Sequence, residues 1–482
     1  MANGVRKFES RMRTAAGIFL LVCADLLILL AVVYSSVAAR IYLLPAIFHS
    51  MPFYKFEPDR YFWLFPVWLA VLAYNGAYTK RFTFWDEVRA LWKADFIVFV
   101  AVFTFLFIGK EGVEFSRAFL LSICLLSLLF FPLMRPAMKR AIYRMGFLRR
   151  KLLILGSGEA ALKAAGTVRM EKNLGYDVAG FIGDGACGRA AIDGMKVHGF
   201  MDKADRYIER CGIHDVMIAE PGLEKERLSG IINRVQHRAE NTLYMPDISG
   251  VAVLGTEIRH FFNQQALVIE IKNNLARPVN YITKRFFDFV IGIILLAVLL
   301  APFLVIAVLI KLTSRGPAVF RQVRAGKNCK PFMCYKFRTM YADAGKRLDR
   351  LLAGDAAIRQ EWEKYRKLRK DPRTTRLGKF LRETSLDELP QIFNVLKGEM
   401  SFVGPRPVTQ EEIDVYYKKN SELCFSVLPG ITGLWQVSGR NDTSYESRIL
   451  LDIWYVRNWN IWLDMVILFK TVRVVLSGQG AG

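Results

Sequence analysis

Five apolar runs, at roughly 15–38, 61–78, 94–109, 115–134 and 289–310, constrain this chain more than anything else in its sequence. A bilayer core needs about 20 consecutive apolar residues, and backbone there must satisfy its own hydrogen bonds as helix or closed barrel. A wholly water-soluble fold is therefore excluded. The first four runs read as spanning helices and predict a four-helix transmembrane bundle over residues 1–148, the third span being short. Arg6, Lys7, Arg11 and Arg13 precede the first run. Lys80, Arg81, Arg89 and Lys93 separate the second from the third, and Arg135, Lys139, Arg140, Arg144, Arg149, Arg150 and Lys151 follow the fourth. Positive residues stay in the cytoplasm, so the N-terminus and everything beyond residue 135 are predicted to be cytoplasmic. The first run is long and lacks a small-residue cleavage site, so no cleavable signal peptide is expected.

The fifth run is different. Pro302 sits in its middle, where it removes a helical hydrogen bond. Lys284 and Arg285 precede it and Lys311, Arg315, Arg321 and Arg324 follow, so no charge asymmetry pulls it across. A re-entrant helix over 286–312 that breaks at Ala301-Pro302 and returns to its own face fits both facts. A kinked spanning helix fits hydropathy equally well.

Charge divides the chain in the same places. Residues 1–150 carry a formal +10, residues 151–280 balance to zero, and residues 281–482 carry +13. The basic outer modules suit anionic lipid or phosphate-bearing substrates. The neutral middle reads as a Rossmann-like α/β cytosolic domain over 149–275. It opens with a strand running into Gly156-x-Gly158 and a helix, and a second strand ends at Asp184. As a cofactor fingerprint this is weak, because Ala161 replaces the third glycine. A Tyr-x-x-x-Lys pair of the sugar epimerase kind is missing from 151–280. A structural or regulatory role is expected ahead of nucleotide binding. Seven scattered cysteines without a CxxC pair predict reduced thiols.

All five histidines precede residue 281, so chemistry in the last module falls to carboxylates, with a hard cation as natural partner. Asp387 and Glu388 are adjacent acids in a basic region, preceded by Thr384-Ser385 and followed by a helical pattern. Ser385 and Glu388 could simply form a capping box. Alternatively, a carboxylate at a helix start can attack phosphorus once cations neutralise a diphosphate. Cationic partners are near in sequence. Strand-like alternation over Cys334–Met340 puts Lys336 and Arg338 on one face, and Gly404-Pro405-Arg406-Pro407 is a rigid turn presenting one guanidinium. The block from Pro429 to Arg440 adds glycine turns with Thr432, Gln436 and Arg440. The run from Trp454 to Leu476 is apolar but broken by charges, which suits an interfacial helix or a core helix comparably.

Four ordered blocks are KRFFDFVIGIILLAVLLAPF, YKFRTM, DPRTTRLGKFLRETSLDELPQIFNVLKGEMSFVGPRPV and PGITGLWQVSGRND. With them the chain from about Lys284 onward resembles the bacterial polyprenyl-phosphate sugar-1-phosphate transferases, the monotopic phosphoglycosyl transferases. The four spans and the α/β module resemble the large form of that family, nearest its galactose-transferring members that start O-antigen synthesis. The resemblance implies a mostly helical monotopic catalytic domain over 280–482 in the bacterial inner membrane, working on the cytoplasmic face. It implies Asp387 as nucleophile and Mg2+ ligand, and Glu388 as its assistant. Lys336, Arg338 and Arg406 fall in the family's anion-binding blocks, and Thr432, Gln436 and Arg440 in a substrate-binding block. The family breaks its re-entrant helix at Ser-Pro; here the pair is Ala301-Pro302, without the hydroxyl. A UDP-sugar and undecaprenyl phosphate are the implied partners, with galactose the expected sugar and glucose the alternative. Nucleic acid is not expected as a partner, and a homodimer is expected. Two rivals make different predictions: an epimerase working through the α/β module would require NAD, and a non-catalytic export scaffold would tolerate loss of Asp387.

Overall fold

The structure, a computed structural model, describes residues 2–49, 51–52, 54–108, 116–184, 191–192, 194–247, 257–261, 266–270, 274, 277–354, 359–360, 371–438 and 444–477. The chain divides into two compact units, Met1–Ile248 and Ser249–Gly482.

In the first unit, the helix Ala2–Ala38 continues through a π-helical turn, Ala39–Leu43, into Leu44–Ile47. The helices Leu64–Tyr74, Phe84–Ile108 and Arg117–Arg144 follow. Among the described residues three helices are long and apolar enough to cross a membrane: Met12–Ile47, Arg117–Arg144 and Pro278–Thr313. The expected second span is shorter than its apolar run. Leu64–Tyr74 has 11 residues, about 16 Å at 1.5 Å per residue and roughly half a hydrocarbon core. The Phe84–Ile108 helix has 25 residues, but Asp86, Glu87, Arg89, Lys93 and Asp95 crowd its first half. All four segments nevertheless share one apolar core that includes Ile28, Val32, Trp68, Leu72, Ala94, Val98, Phe119 and Phe131.

Glu87 and Asp95 are buried with partners, as charges in a low-dielectric interior must be, and Trp68 Nε1 donates to Asp95 at 2.9 Å. Arg135 is fully buried between Asp25, at 2.8 Å, and Glu87, and Lys139 reaches Glu87 at 3.1 Å. Asn173 also bonds to Glu87, tying the α/β module to the helices. Arg81 donates to Leu148 O at 2.8 Å, and Tyr143 OH to Asn173 O at 3.2 Å.

The module itself is a six-stranded sheet in the order β3-β4-β2-β1-β5-β6. Its strands are β1 (Arg150–Leu155), β2 (Tyr176–Ile182), β3 (Ala191–Ile192), β4 (Met195–His198), β5 (Asp215–Ile218) and β6 (Asn241–Tyr244). All pairs are parallel except β3 with β4. Leu152 to Leu155 are buried, as a central parallel strand covered on both faces requires. The strand–glycine loop–helix–strand start read from the sequence is thus a Rossmann-like unit.

The second unit begins with an antiparallel hairpin, β7 (Glu257–Phe261) and β8 (Ala266–Glu270). Next comes the long helix Pro278–Thr313, with Pro278 at its first turn and an extended Ser314 ending it. It runs through Ala301-Pro302 as one continuous helix, without the break expected at that pair. One side packs on the body of the unit: Ile291, Leu295, Leu296 and Leu299 meet one core cluster, and Phe303, Ile306 and Ile310 another. The other side, including Phe289, Ile293, Val298, Leu304, Val308 and Leu312, is exposed.

Buried polar bonds anchor the start of this helix. Lys284 Nζ donates to Asp464 Oδ2 at 2.6 Å, to Val403 O at 3.0 Å and to Tyr455 OH at 3.2 Å. Ser401 Oγ donates to Asp288 at 3.0 Å, and Phe402 N at 3.1 Å. Beyond the helix lie an antiparallel pair, β9 (Val319–Ala325) with β10 (Pro331–Phe337), and a parallel pair, β11 (Ser401–Val403) with β12 (Gly430–Thr432). The C-terminal apolar run forms two helices, Tyr445–Asn458 and Ile461–Ser477. Tyr455, Val456, Trp459, Leu463 and Ile467 bury in the core, while Phe469, Val472 and Leu476 stay exposed. The core reading therefore holds for most of this run.

Candidate active site

The two adjacent acids sit on a turn built with care. Thr375 Oγ1 caps the helix Arg376–Glu383 by accepting from Gly378 N at 2.8 Å. Gly378 must be glycine, since a Cβ there would lie 1.9 Å from Thr339 O. After Thr384 the chain turns at Ser385, which has φ 57°. Non-glycine residues seldom adopt that left-handed conformation. The next three residues form a 3-10 turn, Leu386–Glu388, that carries both acids. The Ser385–Glu388 capping box anticipated from the sequence does not form, because Ser385 makes no side-chain capping bond. Glu388 instead accepts from Lys336 Nζ at 2.7 Å.

Asn394 fixes that pairing. Its helix, Gln391–Lys397, follows the acids, and its Oδ1 accepts from Tyr335 N at 3.0 Å. Its Nδ2 donates to Met333 O and to Glu399, both at 2.7 Å. The fully buried amide thus locks the helix onto β10, the strand that carries Lys336. Asn394→Leu strands a buried N–H and a buried C=O and is expected to cost about 2–3 kcal/mol, read as a lowered denaturation midpoint.

Arg406 arrives from the other side. Its turn follows β11, where Gly404 and Gly430 meet backbone to backbone. A Cβ on Gly404 would stand 2.6 Å from Leu428 O, and one on Gly430 would stand 2.1 Å from Gly404 N. Gly404→Ala should therefore push β11 and β12 apart and lower the melting temperature, with a cost of about 1–3 kcal/mol from overpacking. Pro405 and Pro407 stiffen the turn. The Arg406 guanidinium lies 6.0 Å from the Trp435 ring.

Arg324, Cys334, Lys336, Glu388, Gln391, Arg406, Pro407 and Ile431 line one open cleft of about 270 Å³. Asp387 is half-buried on the same turn. Burial, and then the Glu388 charge beside it, push its carboxyl above the ordinary range, while Lys336 and Arg382 pull it down. Three cations around Glu388, with Asp387 on the same turn, can hold and polarise a phosphorylated substrate.

Lys336, Arg406 and Glu388 thus come together, with Asp387 adjacent. Arg338 does not join them. β10 ends at Phe337, so the buried Arg338 turns to the end of the long helix, donating to Ser314 O at 2.7 Å and Ser314 Oγ at 2.9 Å. Thr432 Oγ1 shares a 2.8 Å bond with Thr471 Oγ1, and Gln436 Nε2 reaches Ile431 O at 3.5 Å; both side chains are buried. Arg440 lies outside the described residues. Ala301 and Pro302 stay inside the long helix. Arg324 and Gln391 were not anticipated. Gln391 carried a signal, being one helical turn beyond Asp387. Arg324 carried none, since only the β9–β10 pairing brings it to the cleft. No group of three or more His, Cys, Asp or Glu side chains placed to hold a metal ion occurs among the described residues.

A membrane-associated enzyme, with its carboxylate pair set among cations, is the class that this fold and site define. Residues 279–478 match the bacterial sugar transferase family, and residues 73–246 match a CoA-binding domain family. An undecaprenyl-phosphate galactose phosphotransferase of Salmonella typhimurium is 37% identical over 84% of this chain and 84% of its own. A UDP-glucose:undecaprenyl-phosphate glucose-1-phosphate transferase of Klebsiella pneumoniae is 32% identical over 71% of this chain and 70% of its own. The exopolysaccharide production protein ExoY of Sinorhizobium fredii is 42% identical over 45% of this chain and 95% of its own. The chain belongs to the polyprenyl-phosphate hexose-1-phosphate transferases and is a transferase enzyme.

Proposed function

We propose that the protein transfers hexose 1-phosphate from a UDP-hexose to undecaprenyl phosphate, at the cytoplasmic face of a bacterial inner membrane, and so begins assembly of an O-antigen, capsule or exopolysaccharide. The observation that carries this is the Asp387–Glu388 pair held against Lys336 and beside Arg406 in a unit whose long apolar helix is exposed along one side. Lys336, Arg406 and Arg324 would hold the diphosphate. The Asp387 carboxylate attacks the phosphorus bonded to the sugar, the bond from that phosphorus to the bridging oxygen breaks, and UMP leaves. A phosphate oxygen of the lipid then attacks the same phosphorus and releases Asp387. Mg2+ commonly binds one or two carboxylates together with substrate phosphates, which Asp387 and Glu388 suit, and it would neutralise diphosphate charge.

A re-entrant course for the Pro278–Thr313 helix is favoured because both its ends are tied to one body. Lys284 and Asp288 bond near its start, and Ile310 packs and Ser314 accepts from Arg338 near its end. A spanning helix would part those ends. The shared apolar core of residues 28–131 favours a four-helix bundle for residues 1–148. ExoY, whose 42% identity to this chain covers 95% of its length, favours a self-sufficient catalytic module over 280–482. Relatives are named for both galactose and glucose, and galactose is preferred on the longer and higher identity.

The raised Asp387 carboxyl gives a pH signature. Without metal its nucleophilic form appears only as pH rises above the ordinary carboxylate range of about 4, and a bound Mg2+ would pull that value down, so the acid limb of UMP release should move to lower pH as Mg2+ is raised. Single-turnover rates against pH check this. The function itself is tested by incubating the protein with Mg2+, undecaprenyl phosphate and UDP-galactose or UDP-glucose. Net turnover that requires the lipid and favours UDP-galactose is expected; turnover indifferent to the lipid would reject the reading.

A further inference from the structure

Residues 73–246 match a CoA-binding domain family, and open parallel sheets of this kind take a ligand's phosphates where the glycine loop after the first strand meets the next helix. In this chain its own side chain fills that place. Ser157 N donates to Glu220 Oε2 at 3.2 Å. Glu220 follows β5, which pairs with β1 on the side away from β2. A Cβ on Gly156 would lie 3.2 Å from the same oxygen, and one on Gly158 would lie 3.8 Å from Glu220 Oε1. The carboxylate therefore spans the loop at the start of the 12-residue helix Glu159–Met170, where that helix's free N–H groups favour negative charge. The loop is also pinned from both sides. Gly156, at φ 146°, has Ala219 O 2.4 Å from where its Cβ would be, and a Cβ on Gly183 would lie 2.6 Å from Ser157 Cβ.

An independent feature agrees. The acid ending the second strand of a dinucleotide site accepts ribose hydroxyls. Here that residue, Asp184, is already engaged: Oδ1 accepts from Met201 N at 2.9 Å, and Oδ2 pairs with Arg227. Both recognition points of the fold are thus satisfied from within the chain, and an incoming phosphate would meet a like charge that it must displace.

We propose that Glu220 is a built-in occupant of the phosphate cradle and closes the α/β module to CoA and dinucleotides. The residues do not fit the cofactor that the family's description names. The module is instead a structural partner of the helices to which Asn173 ties it.

The test uses the full chain in detergent, with equilibrium dialysis against CoA and against NADH, for the parent protein, Glu220→Gln and Glu220→Ala. Glu220→Gln keeps an acceptor for Ser157 N–H and loses only the charge, and a melting curve identifies any variant that fails to fold. The parent should show no saturable binding at millimolar ligand. A folded variant should gain at least ~10-fold in affinity for CoA, reversed by inorganic pyrophosphate. Saturable binding by the parent that Glu220→Gln weakens would overturn the proposal. So would folded variants that bind no better than the parent.

Discussion

Asp387→Asn is expected to reduce transfer by about 10³-fold or more while leaving the melting temperature at or above that of the parent protein. The two halves of this result share one cause. Burial, and next the charge of Glu388, raise the Asp387 carboxyl above its ordinary range. A carboxyl raised on folding binds its proton more tightly in the folded chain. Stability contributed by this group is therefore present below the ordinary carboxylate pKa and is lost as pH rises through the raised one. At neutral pH a charged Asp387 is a net burden on the fold, and asparagine removes it without changing shape. Glu388→Gln should behave differently, since Lys336 Nζ then loses the carboxylate it meets at 2.7 Å. Activity assays beside thermal melts separate the cases. A fall in melting temperature for Asp387→Asn would mark the carboxylate as structural.

Breaking the buried ion pair at the base of the long helix should have the largest effect on stability. Lys284 and Asp464 meet at 2.6 Å with almost no exposed surface. Asp464 also accepts from Tyr455 OH at 2.8 Å and from Trp459 Nε1 at 3.0 Å. Lys284→Ala leaves that carboxylate buried with no cation, and Asp464→Ala leaves the ammonium buried among a carbonyl, a hydroxyl and two aromatic rings. Either change should cost about 3–5 kcal/mol, measured by denaturant titration of the full chain in detergent. Replacing both partners, as Lys284→Met with Asp464→Leu, should be milder than either single change, because no buried charge is left unpaired. Full additivity of the single losses in the double variant would contradict a direct pairing.

Local pattern carried much of this fold. The apolar runs located the membrane helices, and the strand–glycine loop–helix start located the Rossmann-like sheet, because each depends on neighbours along the chain. What pattern could not supply was length and direction. Leu64–Tyr74 is shorter than its apolar run because Tyr61–Trp63 form a separate turn before it, and Asn75 ends it. Lys336 and Arg338 share a face only while the strand lasts, and β10 stops between them at Phe337. Ser385 reads as a cap from its neighbours, yet its left-handed backbone removes that role. Arg324 reaches the cleft through the register of the β9–β10 hairpin, and Glu220 reaches the glycine loop across the sheet from β5. The second is a tertiary fact without a local signature.

The most direct measurement is to mix the protein with UDP-hexose labelled at the sugar-bonded phosphorus, with Mg2+ and no lipid acceptor, and then quench and separate the protein. Label bound to the chain in amounts matching the UMP released, discharged by adding undecaprenyl phosphate and lost in Asp387→Asn, is the expected result. UMP appearing only after lipid is added, with no label on the protein at any time, would contradict a covalent step at Asp387.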